Sequence, residues 1–269
     1  MQLSLASPVA ALRNYVRCFQ QREAYVGEST IIFPIAARPE QFLEFYLKQR
    51  YLVHSCETSM RDLAPAAVVV GPCTYRRVEL VLHGRFDVFT IHFQPAGFHQ
   101  LFRVPMPKLT DRAYEARSVV GPAISEIEER LAEATNFDER INIATGFLLQ
   151  HAIGRTAPNA VAIAANRFLD DCGGFRIREA ALGAGLSVRQ FERRFCEQVG
   201  LTPKRYAEIV RFQAAFCAKL AEPKRAWTDI AHEIGYYDQM HMVHDFQRFS
   251  GESPTNYFAR FKAMPTPWA

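Results

Sequence analysis

A repeated stretch near the C-terminal end constrains this chain more than any other feature. Residues 227–257 read WTDIAHEIGYYDQMHMVHDFQRFSGESPTNY. The pattern predicts a short helix, a tight turn, a second helix, and a third helix after a glycine. Ile230, Ala231 and Ile234 place small and apolar groups on one face. Gly235 ends the first helix at little cost, because it accepts a left-handed cap. Asp238 is placed to cap the next helix, in which Met242, Phe246 and Phe249 recur at helical spacing. Ser253 and Pro254 supply an N-cap and a first-turn proline for the third. The same grammar occurs earlier: Ala181 and Gly185 precede Ala231 and Gly235 by 50 positions. Beyond the turn the offset is 51, matching Phe191 to Met242, Phe195 to Phe246, Gly200 to Gly251, Thr202 to Ser253, Pro203 to Pro254 and Tyr206 to Tyr257. One extra residue in the second turn accounts for the step. The chain therefore contains two copies of a helix-turn-helix unit.

Two such units at this separation resemble the DNA-binding domain of the AraC/XylS transcription regulators. The residues carrying the resemblance are AALGAGLSVRQFERRFCEQVGLTPKRY (180–206) and DIAHEIGYYDQMHMVHDFQRFSGESPTNYF (229–258). It covers roughly 160–262. One departure is Ala180, where the family usually has a larger aliphatic residue; the first helix is expected to lean on Ile177 and Leu182 instead.

The chain is long enough for two domains with separate cores. Net charge is +4, and the positive charge is unevenly placed. Residues 187–225 hold nine basic and four acidic side chains, whereas 226–269 hold three and five. The first unit has the sign needed to neutralise phosphates, while the second does not. A solvated helical surface would give the same charge count. The six cysteines are scattered without a C-x-x-C pair, which fits a reducing cytoplasm and no disulfide frame. No signal peptide is expected from the first residues, and no apolar run reaches membrane-spanning length.

The expected fold class is α+β in two domains. Residues 1–155 form a sensor and dimerisation domain, β-rich over 25–94 and helical over 95–153. Residues 156–269 form an all-α DNA-binding domain, with units at about 176–199 and 227–249. Residues 8–20 read as a short helix or arm. Strands are expected at 29–35, 42–47, 51–56, 66–70, 75–82 and 86–94, separated by turn signals such as Gly71-Pro72 and His83-Gly84. Six short strands suggest a small barrel or sandwich. The family resemblance makes a cupin-like barrel the specific expectation. The stretches Phe93–Phe98 and Leu109–Asp111 also resemble sensor domains of one branch of these regulators. Helices follow at about 119–134 and 138–153, and the resemblance implies that they pair two subunits. The segment 154–160 is the candidate linker, and a helix at 159–171 opens the second domain.

Ser187 and Gln190 have capping-box spacing at the start of helix 187–199. With Phe191 and Phe195 inward, Arg189, Gln190, Arg193 and Arg194 include its outward face. Arginine presents a fork that fits the guanine O6 and N7 edge, and glutamine suits adenine. The resemblance puts Arg189, Glu192 and Arg193 at base-reading positions, with Arg194 left as a phosphate contact or a salt bridge. In the second unit Gln239, Met240, His241 and His244 stand at the reading positions, and Met240 offers an apolar contact to a thymine methyl. Lys204, Arg205, Asp238 and Arg248 complete the candidate DNA-binding set. The joining helix, 203–220, would be about 27 Å long. That suits a rigid spacer between grooves about 34 Å apart.

His83, His92 and His99 are close in sequence but lack the paired-histidine and glutamate spacing of a metal barrel. His241 and His244 have no further ligands at zinc spacing. No nucleotide-binding or nucleophile-elbow motif is present. Phe33, Phe45, Tyr46 and Phe89 could line an effector cavity or belong to plain core. Arg76 and Arg77 would face opposite sides of a strand. Three readings remain, in order. The first is a ligand-responsive DNA-binding regulator, an activator by family habit. The second is a regulator without a small-molecule effector, controlled by a protein partner or by abundance. The third is a metal-dependent enzyme fused to a DNA-binding domain. The first implies double-stranded promoter DNA, RNA polymerase, a small-molecule effector and a second subunit as partners. It implies no cofactor, no membrane and a cytoplasmic location.

Overall fold

The computed structural model describes residues 2–27, 30–76, 78–155, 158–174 and 176–263. Among the described residues its N-terminal half holds ten strands: β1 (Gln2–Ala6), β2 (Val16–Tyr25), β3 (Ile31–Pro34), β4 (Phe42–Tyr46), β5 (Leu52–Ser55), β6 (Arg61–Leu63), β7 (Ala67–Val70), β8 (Val78–Leu82), β9 (Arg85–Phe93) and β10 (Ala113–Glu115). They form two antiparallel sheets, β1-β2-β9-β4-β7-β10 and β3-β8-β5-β6. Each sheet keeps two edges among the described residues, so the domain is an open sandwich, one of the two forms that the strand spacing allowed, and not the closed cupin-like barrel that the family resemblance implied.

The expected helix or arm at 8–20 is also corrected. One 3-10 turn, Ala10–Leu12, precedes β2, and β2 pairs with β9 from Val16 opposite Phe93 to Tyr25 opposite Arg85. With β1 alongside, strand structure begins well before residue 25. Tertiary pairing overrides the local pattern here. Arg76 precedes β8, and Arg77 lies outside the described residues.

Register assigns the two faces of the larger sheet. Gln20 and Arg22 share one face with Thr90, Val88, Glu44 and Tyr46, toward the second sheet. Phe19, Leu43, Phe45, Val69, Phe89 and Ile91 share the other face and join one core cluster with helical side chains. The helices are α1 (Gly97–Phe102), α2 (Ala116–Val120), α3 (Ala123–Glu133) and α4 (Phe137–Ala152). The expected aromatic candidates divide accordingly: Phe45 and Phe89 lie under the helices, while Phe33 packs in the inter-sheet core.

Seven helices make up the described C-terminal half: α5 (Ala160–Asp170), α6 (Ile177–Gly183), α7 (Val188–Val199), α8 (Pro203–Ala221), α9 (Trp227–Glu233), α10 (Gln239–Ser250) and α11 (Pro254–Ala263). Phe168, Phe191, Phe195, Tyr206, Phe212, Met242, Phe246 and Phe249 form one buried cluster, so the two units share a core. Phe195 meets Tyr206 at 5.5 Å between ring centroids, and Phe212 meets Phe246 at 4.8 Å. The expected linker contains Thr156 and Ala157, which lie outside the described residues. Among the described residues, no helix is long and apolar enough to cross a membrane.

Candidate nucleic-acid interface

The sequence repeat is a structural repeat. Ala181 and Ala231 are both buried, as are Phe191 with Met242, and Phe195 with Phe246. Ser187 accepts from Gln190 N–H, and Gln190 accepts from Ser187 N–H, closing the capping box of α7. Asp238 caps α10 by accepting from His241 N–H at 2.7 Å. Gly200 and Gly251 end α7 and α10 in the left-handed conformation. One expectation fails in α6. Leu182 is 81% exposed, so of the two expected supports only Ile177 packs on the core, beside the buried Ala180 and Ala181. Ile177, Ala180 and Ala181 stand at i, i+3 and i+4 and share one face of the helix, and Leu182 lies off that face.

The structure sorts the candidate residues. Arg189, Glu192, Arg193 and Arg194 are all exposed on α7, and Lys204 is exposed at the start of α8. Ser187 and Gln190 share that surface while serving the cap. On the second unit Gln239, Met240, His241 and His244 are exposed. His241 also lays its ring edge-on against Tyr236, with centroids 5.3 Å apart. The Asp238 carboxylate is committed to its cap. Arg205 and Arg248 converge on Glu208, at 3.5 and 3.3 Å, and both stack over the Phe249 ring at 5.5 Å. Burial, followed by the neighbouring Arg248 charge, lowers the Arg205 pKa. This cluster ties α8 to α10 and spends part of both charges inside the protein.

Sequence reasoning missed two things. Tyr237, in the turn before α10, is 93% exposed. Its signal was the one-residue step in the repeat offset, since Tyr237 is the unmatched residue. The second is the seat of this domain on the β-rich half. Thr110 Oγ1 donates to Gly200 O at 2.7 Å, at the C-terminal end of α7. Ala37 N–H donates to Phe249 O at 2.9 Å, in the last turn of α10. Gln213 Nε2 reaches Ala37 O and Glu40 Oε2, both at 3.4 Å, and Arg76 pairs with Glu252 at 3.7 Å.

Both seats lead back to one segment, Gly71–Thr74. Cys73 exchanges two backbone hydrogen bonds with Arg38, beside Ala37. Thr74 donates through N–H and Oγ1 to the Asp111 carboxylate, both at 2.7 Å, beside Thr110. Gly71 permits this approach, because a Cβ there would stand 2.0 Å from Leu109 O.

Inside the sandwich, Arg22 pairs with Glu44, and Glu44 also accepts from Tyr46. His92 meets Gln20 at 3.1 Å, and its ring lies 5.5 Å from that of Phe42. Arg38 stacks over the other neighbour of this set, the Phe42 ring, at 4.5 Å. His99 meets Val104 O instead, so the clustered histidines serve different partners. A cavity of about 10 Å³ lies on the seam, lined in part by Arg17, Glu40, Gln41 and Tyr206. That is room for one water.

A family described as a helix-turn-helix domain matches residues 180–260, the span of the two capped units. Residues 180–260 thus form a helix-turn-helix domain of the AraC type. A domain family of unknown function matches residues 5–115. No curated protein matches the sequence. Among solved structures, ToxT from Vibrio cholerae O395 is similar at 12% identity and a TM-score of 0.50, over 91% of this chain and 99% of that one. At that identity the likeness shows a shared two-domain fold. ToxT bound to (E)-4-(8-methylnaphthalen-1-yl)but-3-enoic acid gives 12% identity and a TM-score of 0.49, over 90% and 98% of the two chains. The C-terminal domain of AraT, a response regulator from Geobacillus stearothermophilus, gives 18% identity and a TM-score of 0.36, over 42% of this chain and 92% of that one. The AraC-type domain makes this chain a DNA-binding regulator.

Proposed function

We propose that this regulator reads successive major grooves of promoter DNA with α7 and α10, and that the β-rich domain sets how the two readers are held. The carrying observation is the double seat. Thr110 and Ala37 donate to the C-terminal ends of the two recognition helices, and both are anchored on Gly71–Thr74. In helix-turn-helix docking the N-terminal part of the recognition helix meets the bases. The opposite ends are therefore free to be held from behind. Arg189 and Arg193 are the proposed guanine readers, with Arg194 and Lys204 on phosphates.

An effector acts only through different affinity for two states. The proposed site is the inter-sheet face around Arg22, Glu44, Thr90 and His92, which Phe42 and Arg38 connect to Cys73. Arg22 and Glu44 already neutralise each other, and the seam cavity holds about one water, so binding requires the sandwich or the seam to open. That compactness favours a second reading beside the first, in which a protein partner or abundance sets activity. Transcriptional activation through RNA polymerase is proposed from the family alone. A homodimer through α3 and α4 is proposed from exposed Leu149 and Ile153 at the end of that pair.

The test is binding of the full chain to its own upstream DNA across a salt series, with Arg193→Ala alongside. The proposal expects preference over bulk DNA, a steep salt slope, and a loss of about 1–3 kcal/mol for Arg193→Ala at a guanine. Equal affinity for all sequences would refute it.

A further inference from the structure

The two units differ in what they offer a groove. On α7, Arg189, Arg193 and Arg194 are exposed and form no ion pair among the described residues. On α10, the charged groups are engaged within the protein. Asp238 caps the helix, Asp245 is buried, and Arg248 pairs with Glu208. His241 leans on Tyr236. Two large side chains remain outward at the N-terminal end of the helix: Met240, 60% exposed, and Tyr237, 93% exposed.

Tyr237 is also the residue by which the second turn exceeds the first. Gly185-Leu186-Ser187 becomes Gly235-Tyr236-Tyr237-Asp238. Leu186 and Tyr236 both pack on the shared core, so the insertion falls on Tyr237. An inserted residue that faces solvent, directly ahead of a helix cap, is not accounted for by packing.

The chemistry of this surface names its ligand. The thymine C5-methyl is the apolar group of the major groove, and an apolar side chain is its complement. A thioether adapts to such a contact, and an aromatic ring covers area at low entropic cost. Gln239 stands beside them with an amide that suits adenine. We infer that the second unit reads a thymine-bearing A·T half-site through Met240, with Tyr237 extending the same apolar contact. The first unit then supplies most of the phosphate attraction. This inference rests on the DNA-reading function proposed above.

The test starts from duplexes selected by the full chain from a random pool. Each thymine in the half-site assigned to the second unit is replaced by deoxyuridine, which removes only the methyl. For wild type, at least one replacement is expected to weaken binding about fourfold, the value of one buried methyl. In Met240→Ala the same replacement is expected to have no further effect. Tyr237→Ala should weaken binding several-fold with an unchanged salt slope, and Tyr237→Phe should retain it. Both positions are exposed, so the variants are expected to fold. Insensitivity of wild type to every deoxyuridine, or an equal loss in Met240→Ala, overturns the inference and leaves the regulator reading intact. Loss in Tyr237→Phe equal to that in Tyr237→Ala overturns the role of Tyr237, because it makes the hydroxyl the contact. A pool with no enriched sequence overturns the regulator reading and this inference together.

Discussion

Arg140 is a buried guanidinium whose nitrogens reach Leu131 O at 3.3 Å, Ala134 O at 2.8 Å and Gln21 Oε1 at 3.0 Å. It joins the end of α3 to β2, where a cation also complements the helix dipole. Gln21 in turn donates to Asp87 at 2.9 Å. Arg140→Met leaves these acceptors buried and unmatched. It should cost about 2–4 kcal/mol in urea unfolding at neutral pH; a change within about 0.5 kcal/mol would show that the network is not structural. His92 stays neutral at pH values where a surface histidine is already protonated. Burial first, then the charges of Arg22, Arg17 and Arg38, push its pKa down to about 3. Its pKa is about 6.5 in the unfolded chain, so between these values the unfolded state holds more protons. Stability then falls as pH drops from about 6.5 toward 3. His92→Gln should flatten this slope by up to about one proton, read from melting temperatures at stepped pH. An unchanged slope would place the acid sensitivity on other groups. Neither residue's role was legible in sequence, because Arg140 and Gln21 meet across 119 positions.

At the scale of elements, caps were legible and partners were not. Ser187, Asp238 and Ser253 announce helix starts within four residues, and their hydrogen bonds are local. The strand β2 carries VRCFQQREAY, whose polar residues Gln20, Gln21 and Arg22 find His92, Asp87 and Glu44 as partners only after the sheet forms. Strand order is likewise nonlocal, and this is why strand spacing left barrel and sandwich both open. The Leu109–Asp111 motif was visible by resemblance, yet its work depends on Gly200, 90 positions after Thr110. Gly200 has φ of 89° and leaves little room, since a Cβ would meet Thr110 Oγ1 at 2.8 Å. Thr110→Val removes the donor with little change of shape. It should loosen the rear hold on α7 and broaden the half-site spacings tolerated by the full chain by about one base pair, within the geometry of a 10–10.5 base-pair turn. An unchanged spacing preference in quantitative footprinting would mean that α8 alone fixes the readers.

For the whole molecule, the pair of helical units was legible through the repeat and its caps. The coupling was not, because Gly71–Thr74 touches both seats only in the folded chain. The helix α8 has 19 residues, about 28 Å of rigid rise between the two units. With both recognition helices also held from behind, the two readers should act as one body. Inserting about five base pairs between the half-sites, roughly half a turn of B-DNA, tests this. The insertion turns the second half-site to the opposite face of the duplex. Affinity of the full chain is expected to drop to that of a single half-site. Affinity unchanged by the insertion would contradict it, because the two units would then be reading independently.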